Sequence, residues 1–415
     1  MELAGLLCNI TTDISPTNMN ANIEKLYQIS GKASRNIIGL MSGTSFDGLD
    51  IALCRFEGSG TDTLVKVLHF TTKAYDAAFK EELKSVFARK TADLQKITLL
   101  NAHIGTYYAE LVLQALAQWG VAVTDVDIIA SHGQTIFHAP KRLHGIEGYG
   151  NATLQIGDGD HIAVKTGIIT LSDFRQKHIA AGGEGAPLAL YGDYLLFSSK
   201  SESRIMLNIG GIANFTYLPA SGATDCFSTD VGPGNTLMDQ FIQREYPGKY
   251  YDNNAEIAKK GAVNEQLLAA LLNNPFFTQP VPKTTGPELF SLAYLDAAIK
   301  TSAQLDLGNE DIMATLARFS ATAIISAIES AIQHNNEFEI YISGGGMYNP
   351  ILTDCIETHF NKKLRSTIDW GIHPDAKEAV LFAVLANEAL AGNGDNSGGD
   401  SNLLSLSMGK ISFPA

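Results

Sequence analysis

Three shortages bound what this chain can be: positive charge, cysteine and long apolar runs. Its 30 Lys and Arg residues stand against 44 Asp and Glu, a formal net charge of -14. Nucleic acids and anionic membrane surfaces need a basic footprint, so neither is expected as a main partner. An anionic small ligand would need a local set of donors instead. The four cysteines, Cys8, Cys54, Cys226 and Cys355, are far apart and form no CxxC pair. Neither a zinc site nor a disulfide framework is therefore indicated, and a reducing cytoplasm fits best. His138, His144 and His161 lack metal-ligand spacing. No apolar run approaches the roughly 20 residues that would span a bilayer. The first 18 residues contain ELAGLLC with no basic region before it, so a secretory signal is not expected. Met19 is then a candidate start, which an intact mass would test.

What is present is the composition of a soluble globular protein, 45% hydrophobic and 18% charged. A chain of 415 residues exceeds the roughly 250 to 300 at which single cores stop growing, so two domains with a cleft are expected. The organising stretch is IITLSDFRQKHIAAGGEGAPLAL, from Ile168 to Leu190. The β-branched run Ile168, Ile169, Thr170 reads as a strand, and Asp173 and Arg175 stand where it should end. AAGGEGAP then turns tightly. Ligands of open α/β proteins bind beyond the carboxyl ends of strands, which makes Asp173 either a chemical group or the cap of the next helix.

The rest of the chain repeats that logic. Ile37–Met41 and Leu49–Cys54 read as a hairpin whose tip holds Gly43, Thr44, Ser45, Asp47, Gly48 and, just beyond, Asp50. Backbone N–H groups and hydroxyls there suit an anion, whereas the aspartates require a cation between, a pattern that phosphate with Mg²⁺ satisfies. A plain glycine-rich turn also accounts for it. Residues 76–119 read as helices. Val126–Ala130 reads as a buried strand running into Ser131, His132, Gly133, Gln134 and Thr135, a set of neutral donors and acceptors suited to a polyol. RIMLNIGGIANFTYL forms a second hairpin pattern, Ile205–Leu207 and Phe215–Leu218 around Asn208, Gly210 and Gly211, about 170 residues after the first. Asp230 enters GPGN, where Asn235 is placed as a helix cap. Gly344 to Gly346 follow a strand and precede a helix opened by Asn349 and Pro350. KEAVLFAVLANEAL is a periodic helix, and GNGDNSGGDSN is a linker flexible by composition.

Taken together, MSGTSFDGLD, ASHGQTIFH, SDFR with AAGGEGAPL, LNIGGIANF, TDVGPGN, ISGGG and KEAVLFAVLANEAL resemble, in that order, the anhydro-N-acetylmuramic acid kinases of the sugar kinase and actin superfamily. The resemblance implies a two-lobed, actin-like α/β fold of the ribonuclease H-like kind, with a central nucleotide and sugar cleft. The expected division is an N-terminal extension to residue 36, lobe I from 37–130 plus about 376–415, and lobe II from 131–375. The resemblance also implies an enzyme that uses ATP, Mg²⁺ and water to open a 1,6-anhydro sugar and phosphorylate its 6-oxygen, yielding N-acetylmuramic acid 6-phosphate in cell-wall recycling. A cytoplasmic homodimer is implied as well.

Carried over by residue, Gly43 to Asp50 fall on the first phosphate loop, with Asp47 the Mg²⁺ candidate. Asn208, Gly210 and Gly211 fall on the second loop, and Gly344, Gly345 and Gly346 on the nucleoside side. Asp173 falls on the general base. His132, Gln134 and Thr135 fall near the sugar, and Asp230, Gly232 and Asn235 are assigned to the substrate as well. The substrate's lactyl carboxylate calls for a basic or N–H contact, with Arg175, Lys177 and Lys283 as candidates. His178, Glu184 and Pro287 depart from the family pattern near the presumed cleft. Two rivals stand beside this reading: a kinase for another anhydro sugar such as levoglucosan, and a nucleotide-binding switch without turnover. The second leaves Asp173 and the SHGQT cluster without work.

Overall fold

The computed structural model describes residues 19–222, 225–286, 288–332, 337–392 and 407–415. Its strands are β1 (Ser34–Ser42), β2 (Gly48–Glu57), β3 (Leu64–Ala74), β4 (Ile128–Ala139), β5 (Ala152–Ile156), β6 (Ile169–Ser172), β7 (Ser203–Ile209), β8 (Ile212–Leu218), β9 (Phe227–Pro233), β10 (Phe338–Ser343), β11 (Arg365–Ser366) and β12 (Lys410–Ser412). They form two sheets. The first runs β12-β6-β4-β1-β2-β3 with β5 paired to β4, and the second runs β11-β10-β7-β8-β9. Each is built from an antiparallel meander, β1-β2-β3 or β7-β8-β9, whose first strand also pairs in parallel with a later one, β4 or β10. The same order twice is a duplicated unit, two lobes of one topology.

Parallel neighbours need long crossovers, and helices supply them. Between β3 and β4 the helix Leu94–Trp119 starts at Asp93, whose carboxylate accepts from Lys96 N, and stops at Gly120 in the left-handed region. It buries Ile104 and Tyr108 against Ile38, Leu40 and Ile129 on one face of the first sheet. The C-terminal helix Lys377–Ala391 covers the other face. It lies so close that a Cβ on Gly39 would stand 1.8 Å from Ala379 O, which is why β1 carries a glycine at its centre. Phe382 of that helix shares one core with Ile37 and Ala130 of the first sheet and Met206 and Tyr341 of the second, so it joins the lobes. In the second lobe, helix Asn309–Ile332 packs on Ile205, Phe215 and Ile340. Among the described residues it alone is long and apolar enough to cross a membrane, and 72% of its apolar window is buried inside the fold.

Two expectations need correction. The described part of the expected N-terminal extension is not separate from the first lobe: Ala21–Ser30 is a helix, capped by Asn20, that sets Leu26 and Ile29 on the core. The lobe boundary does not fall at 130/131, because that cut passes through β4. β6 pairs in parallel with β4, and β12 pairs with β6, so everything from β4 through the helix Ala189–Phe197 precedes the second sheet, which opens at β7. Parallel pairing joins segments far apart in the chain, and local pattern carries no record of it. The first 18 residues, with Cys8 and the question of the start, lie outside the described residues, as do Pro287 and all of the GNGDNSGGDSN linker after Gly392.

Candidate active site

Between the lobes lies a cavity of about 1080 Å³. The first lobe contributes Met41 at the end of β1, Arg175, the turn Glu184–Leu188 and the first turn of the C-terminal helix with Lys377 and Glu378. The second contributes Asn208, Asn214, Asp230, Lys283, Thr284, Thr285, Gly286, Glu288 and Gly344.

The second lobe brings its expected loops together. The turn between β7 and β8 is stapled to the start of helix Thr236–Glu245, since Gly210 O accepts from Asn235 N and Gly211 O from Gly234 N and Thr236 N. Asn235 occupies the cap position without a capping side-chain bond, and its amide reaches Ile209 O instead. Gly344 (φ +82°) passes this turn so closely that a Cβ would meet Asn208 Oδ1 at 2.6 Å and Ile209 O at 2.7 Å. A Cβ on Gly345 would stand 3.6 Å from Asn235. Asn208, Gly210, Gly211, Asn235, Gly344 and Gly345 are therefore one surface. Gly346 packs on Ile209 behind it, and Gly232 (φ +135°) packs on Phe277.

Asp230 stands on β9 opposite Asn214, beside a bulge in the β8–β9 pairing. Its Oδ2 accepts from Thr285 N at 2.9 Å, and its backbone N–H donates to Lys283 O at 2.9 Å. Burial raises its carboxyl above the ordinary range, against the pull of that N–H and of Arg142. Glu378 lines the cavity, and desolvation there, followed by the charge of Asp50, pushes its carboxyl up too.

In the first lobe the loop from Gly43 to Gly48 is pinned by Phe46, buried at φ +58° against the Phe87 ring. Thr44, Ser45 and Asp47 are thereby left exposed. Asp50 accepts from Thr72 Oγ1 at 2.5 Å. Its carboxyl is raised by burial and by the neighbouring charges of Asp375 and Asp47, an excess of negative charge beside the cavity. No three His, Cys, Asp or Glu side chains among the described residues converge as a ready metal site.

The SHGQT cluster and Asp173 stand elsewhere than expected. His132, Gln134 and Thr135 lie within β4, not after it, and none lines the cavity. Gln134 Oε1 accepts from Ser42 Oγ at 2.6 Å, and its amide reaches Gly43 O at 3.3 Å. Behind it, the Tyr75 hydroxyl is 2.8 Å from Ser42 Oγ and 3.1 Å from the Tyr108 hydroxyl. Thr135 Oγ1 accepts from Gln155. His132 Nε2 accepts from Arg175 Nε at 3.0 Å, and burial, then Arg175, keeps its ring neutral. These groups brace the Gly43–Gly48 loop and the Arg175 guanidinium. Arg175 does line the cavity, with Nη1 on Gly185 O at 2.7 Å, and burial lowers its pKa to about 10. Asp173 sits in the left-handed region (φ +56°) at the head of helix Phe174–Ala180, makes no capping bond and does not line the cavity. Lys410 Nζ from β12 holds its Oδ2 at 2.5 Å. The position at the end of β6 is as read, and its carboxylate is paired with a lysine.

Other cavity residues escaped the sequence reading. Arg142 and Leu143 come from the short turn Lys141–His144, and Asp193 pairs with Lys377 at 2.8 Å. Only PDAKE, with an acid in the first helical turn, carried a local signal for Glu378.

Duplicated ribonuclease H-like sheets around a polar cleft of glycine-built turns define an actin-like two-lobed protein, the architecture of sugar kinases. Within that class the chain belongs to the anhydro-N-acetylmuramic acid kinase family, whose model matches residues 35–411. It is 54% identical over 400 residues to the anhydro-N-acetylmuramic acid kinase of Pseudoalteromonas atlantica, covering 95% of this chain and 100% of that one. The enzyme of the same name from Caldanaerobacter subterraneus is 38% identical, covering 90% of this chain and 96% of the relative. A solved ROK family glucokinase from Streptomyces griseus with glucose and AMPPNP overlaps with a TM-score of 0.35 at 11% identity, over 85% of this chain and 99% of that one. The sheet order, not that overlap, carries the fold.

Proposed function

We propose that this protein is a kinase that opens the 1,6-anhydro bridge of 1,6-anhydro-N-acetylmuramic acid with water and moves the γ-phosphoryl group of ATP to the freed 6-oxygen, yielding N-acetylmuramic acid 6-phosphate in peptidoglycan recycling. The observation that carries it is the cavity between the duplicated lobes, with Asp230 on one wall and the Asn208–Gly344 surface beside it, in a chain of this family. The reaction needs a base for water. Asp230 is better supported in that role than Asp173, because it lines the cavity, is held by Thr285 N through one oxygen, and is raised toward a useful basicity by burial. Proton abstraction by such a group contributes roughly 10² to 10⁴ in rate. The 6-oxygen leaves the anomeric carbon as the nucleophile for phosphorus, so it needs no separate acid.

The turns at Gly43–Ser45, Asn208–Gly211 and Gly344–Gly346 are proposed to hold ATP. Backbone donors of this kind stabilise a transferring phosphoryl group by position and charge. Mg²⁺ fits the crowded carboxylates of Asp47 and Asp50, whose mutual repulsion a cation would relieve. Such ions are held by one or two carboxylates plus phosphates, and Mg²⁺ would neutralise the phosphates. Action in the cytoplasm as a homodimer, away from membranes, completes the proposal.

The test is a reaction in ¹⁸O-labelled water. The label is expected on the C1 hydroxyl, with the oxygen joining sugar to phosphorus unlabelled. Label in free phosphate with none at C1 would mean that water attacks ATP, and the proposal would fall. Levoglucosan run in parallel separates the rival substrate.

A further inference from the structure

We infer that Arg142 is the specificity-determining residue for the substrate's carboxylate, presented to the cavity by a preset contact with Glu184. The inference rests on the proposed sugar, which carries a lactyl carboxylate. Four lysines and arginines line the cavity: Arg142, Arg175, Lys283 and Lys377. Lys377 is paired with Asp193. Lys283 Nζ donates to Phe276 O, Phe277 O and Gln279 O and lies over the Phe276 ring. Arg175 is committed to His132 and Gly185 O. Lys177, the remaining candidate from sequence, is exposed and does not line the cavity.

Arg142 differs in which edge it uses. Its Nε alone donates, 3.2 Å from each oxygen of Glu184, and neither Nη1 nor Nη2 holds a hydrogen bond among the described residues. The free pair of terminal nitrogens is the edge that receives a carboxylate bidentately. Glu184 is itself fixed on both sides. Gly183 O accepts from Asn151 Nδ2 at 3.0 Å, and Gly185 N donates to His178 Nδ1 at 3.1 Å. The His178 ring packs so tightly on Gly183 that a Cβ there would meet its Nε2 at 2.2 Å. Asn151 also accepts from Lys141 N, next to Arg142, at 2.8 Å. Both loops are thus tied together, and Arg142 is oriented before any ligand arrives, which reduces the ordering that binding requires.

Place and chemistry agree. The charge of Arg142 reaches Asp230, so the guanidinium and the proposed base address one small ligand. Leu143, 68% exposed at the same wall, offers apolar surface to the lactyl methyl. His178 and Glu184, two of the departures from the family pattern, acquire a shared purpose as the mount of Arg142.

The experiment compares kcat/KM for 1,6-anhydro-N-acetylmuramic acid with that for 1,6-anhydro-N-acetylglucosamine, which lacks the lactyl group. In the unaltered enzyme the acid is preferred. Arg142→Met should reduce that preference by about 10- to 100-fold, the range for a lost hydrogen-bonded charge contact. Arg142→Lys, which keeps the charge without the fork, should fall between. Equal loss on both sugars in Arg142→Met would make the residue structural and overturn the inference, as would an unchanged ratio. An unaltered enzyme that turns over both sugars equally would also overturn it, while leaving the kinase reading intact. Turnover of neither sugar would instead refute the proposed function.

Discussion

The two lobes share a strand order but use the ends of their strands differently. In the first, polar groups on or just after β1, β4 and β6 are held by partners within the lobe: Ser42 by Gln134 and Tyr75, His132 by Arg175, Asp173 by Lys410. In the second, Asn208, Asn214, Asp230 and Gly344 open to the cavity. One topology therefore yields a braced wall on one side and, on the other, an open wall that we propose is the reactive one. A polar residue at a strand end is a candidate site only until its partner is known.

The sharpest way to break this contrast is to neutralise one carboxylate in each lobe. Asp230→Asn should lower kcat by at least about a hundredfold with ATP binding nearly intact, whereas Asp173→Asn should change kcat by less than about fivefold. The pH profile provides a second readout. A base works only when deprotonated, and burial raises the Asp230 carboxyl, so kcat should fall on the acid side at a pH above the ordinary carboxylate range. Asp173→Asn should retain that limb. The opposite ranking of the two variants would restore Asp173 as the base.

Next in size is the close approach that builds the reactive wall. Gly344→Ala places a Cβ in the left-handed region and 2.6 Å from Asn208 Oδ1. A loss of about 1 to 3 kcal/mol is expected, together with a raised KM for ATP. Denaturant unfolding and ATP titration would check it, and an unaffected KM would separate Gly344 from the nucleotide. On the braced wall, Gln134→Leu leaves the buried Ser42 hydroxyl without its acceptor. About 1 to 3 kcal/mol of stability should be lost, with the KM for sugar held within about twofold. A selective rise in sugar KM at unchanged stability would return Gln134 to the substrate.

Much of the fold was legible because it is local. Both hairpins fall where their β-branched runs and glycine turns place them, and Asn349 caps its helix through Ile351 N and Leu352 N as read. β3 passed unnoticed because it is half-exposed along its length and lacks a clean apolar face. In the site, the glycine junctions of the second lobe were visible as motifs. Arg142 was not, since nothing in KRLH says that its guanidinium will meet Glu184, 42 residues on. The pairing of Asp173 was hidden for the converse reason. Its neutralising partner Lys410 is 237 residues away, on a strand that pairs with β6 only in the folded chain.

That distant pair sets the smallest effect. Lys410 is 68% exposed and the Asp173 side chain 28%, so the attraction is screened by water and partly offset by the order imposed on two side chains. Exposed pairs contribute about 0.2 to 1 kcal/mol. Lys410→Met should lower stability by no more than that, with less difference at high salt, because screening already weakens the pair in the parent protein. Activity should stay within about twofold, since neither residue lines the cavity. If Lys410→Met instead removed turnover while the protein stayed folded, the Asp173–Lys410 pair would belong to the chemistry and the first lobe would not be merely a brace. Parallel melts and turnover assays at low and high salt measure both quantities on one preparation.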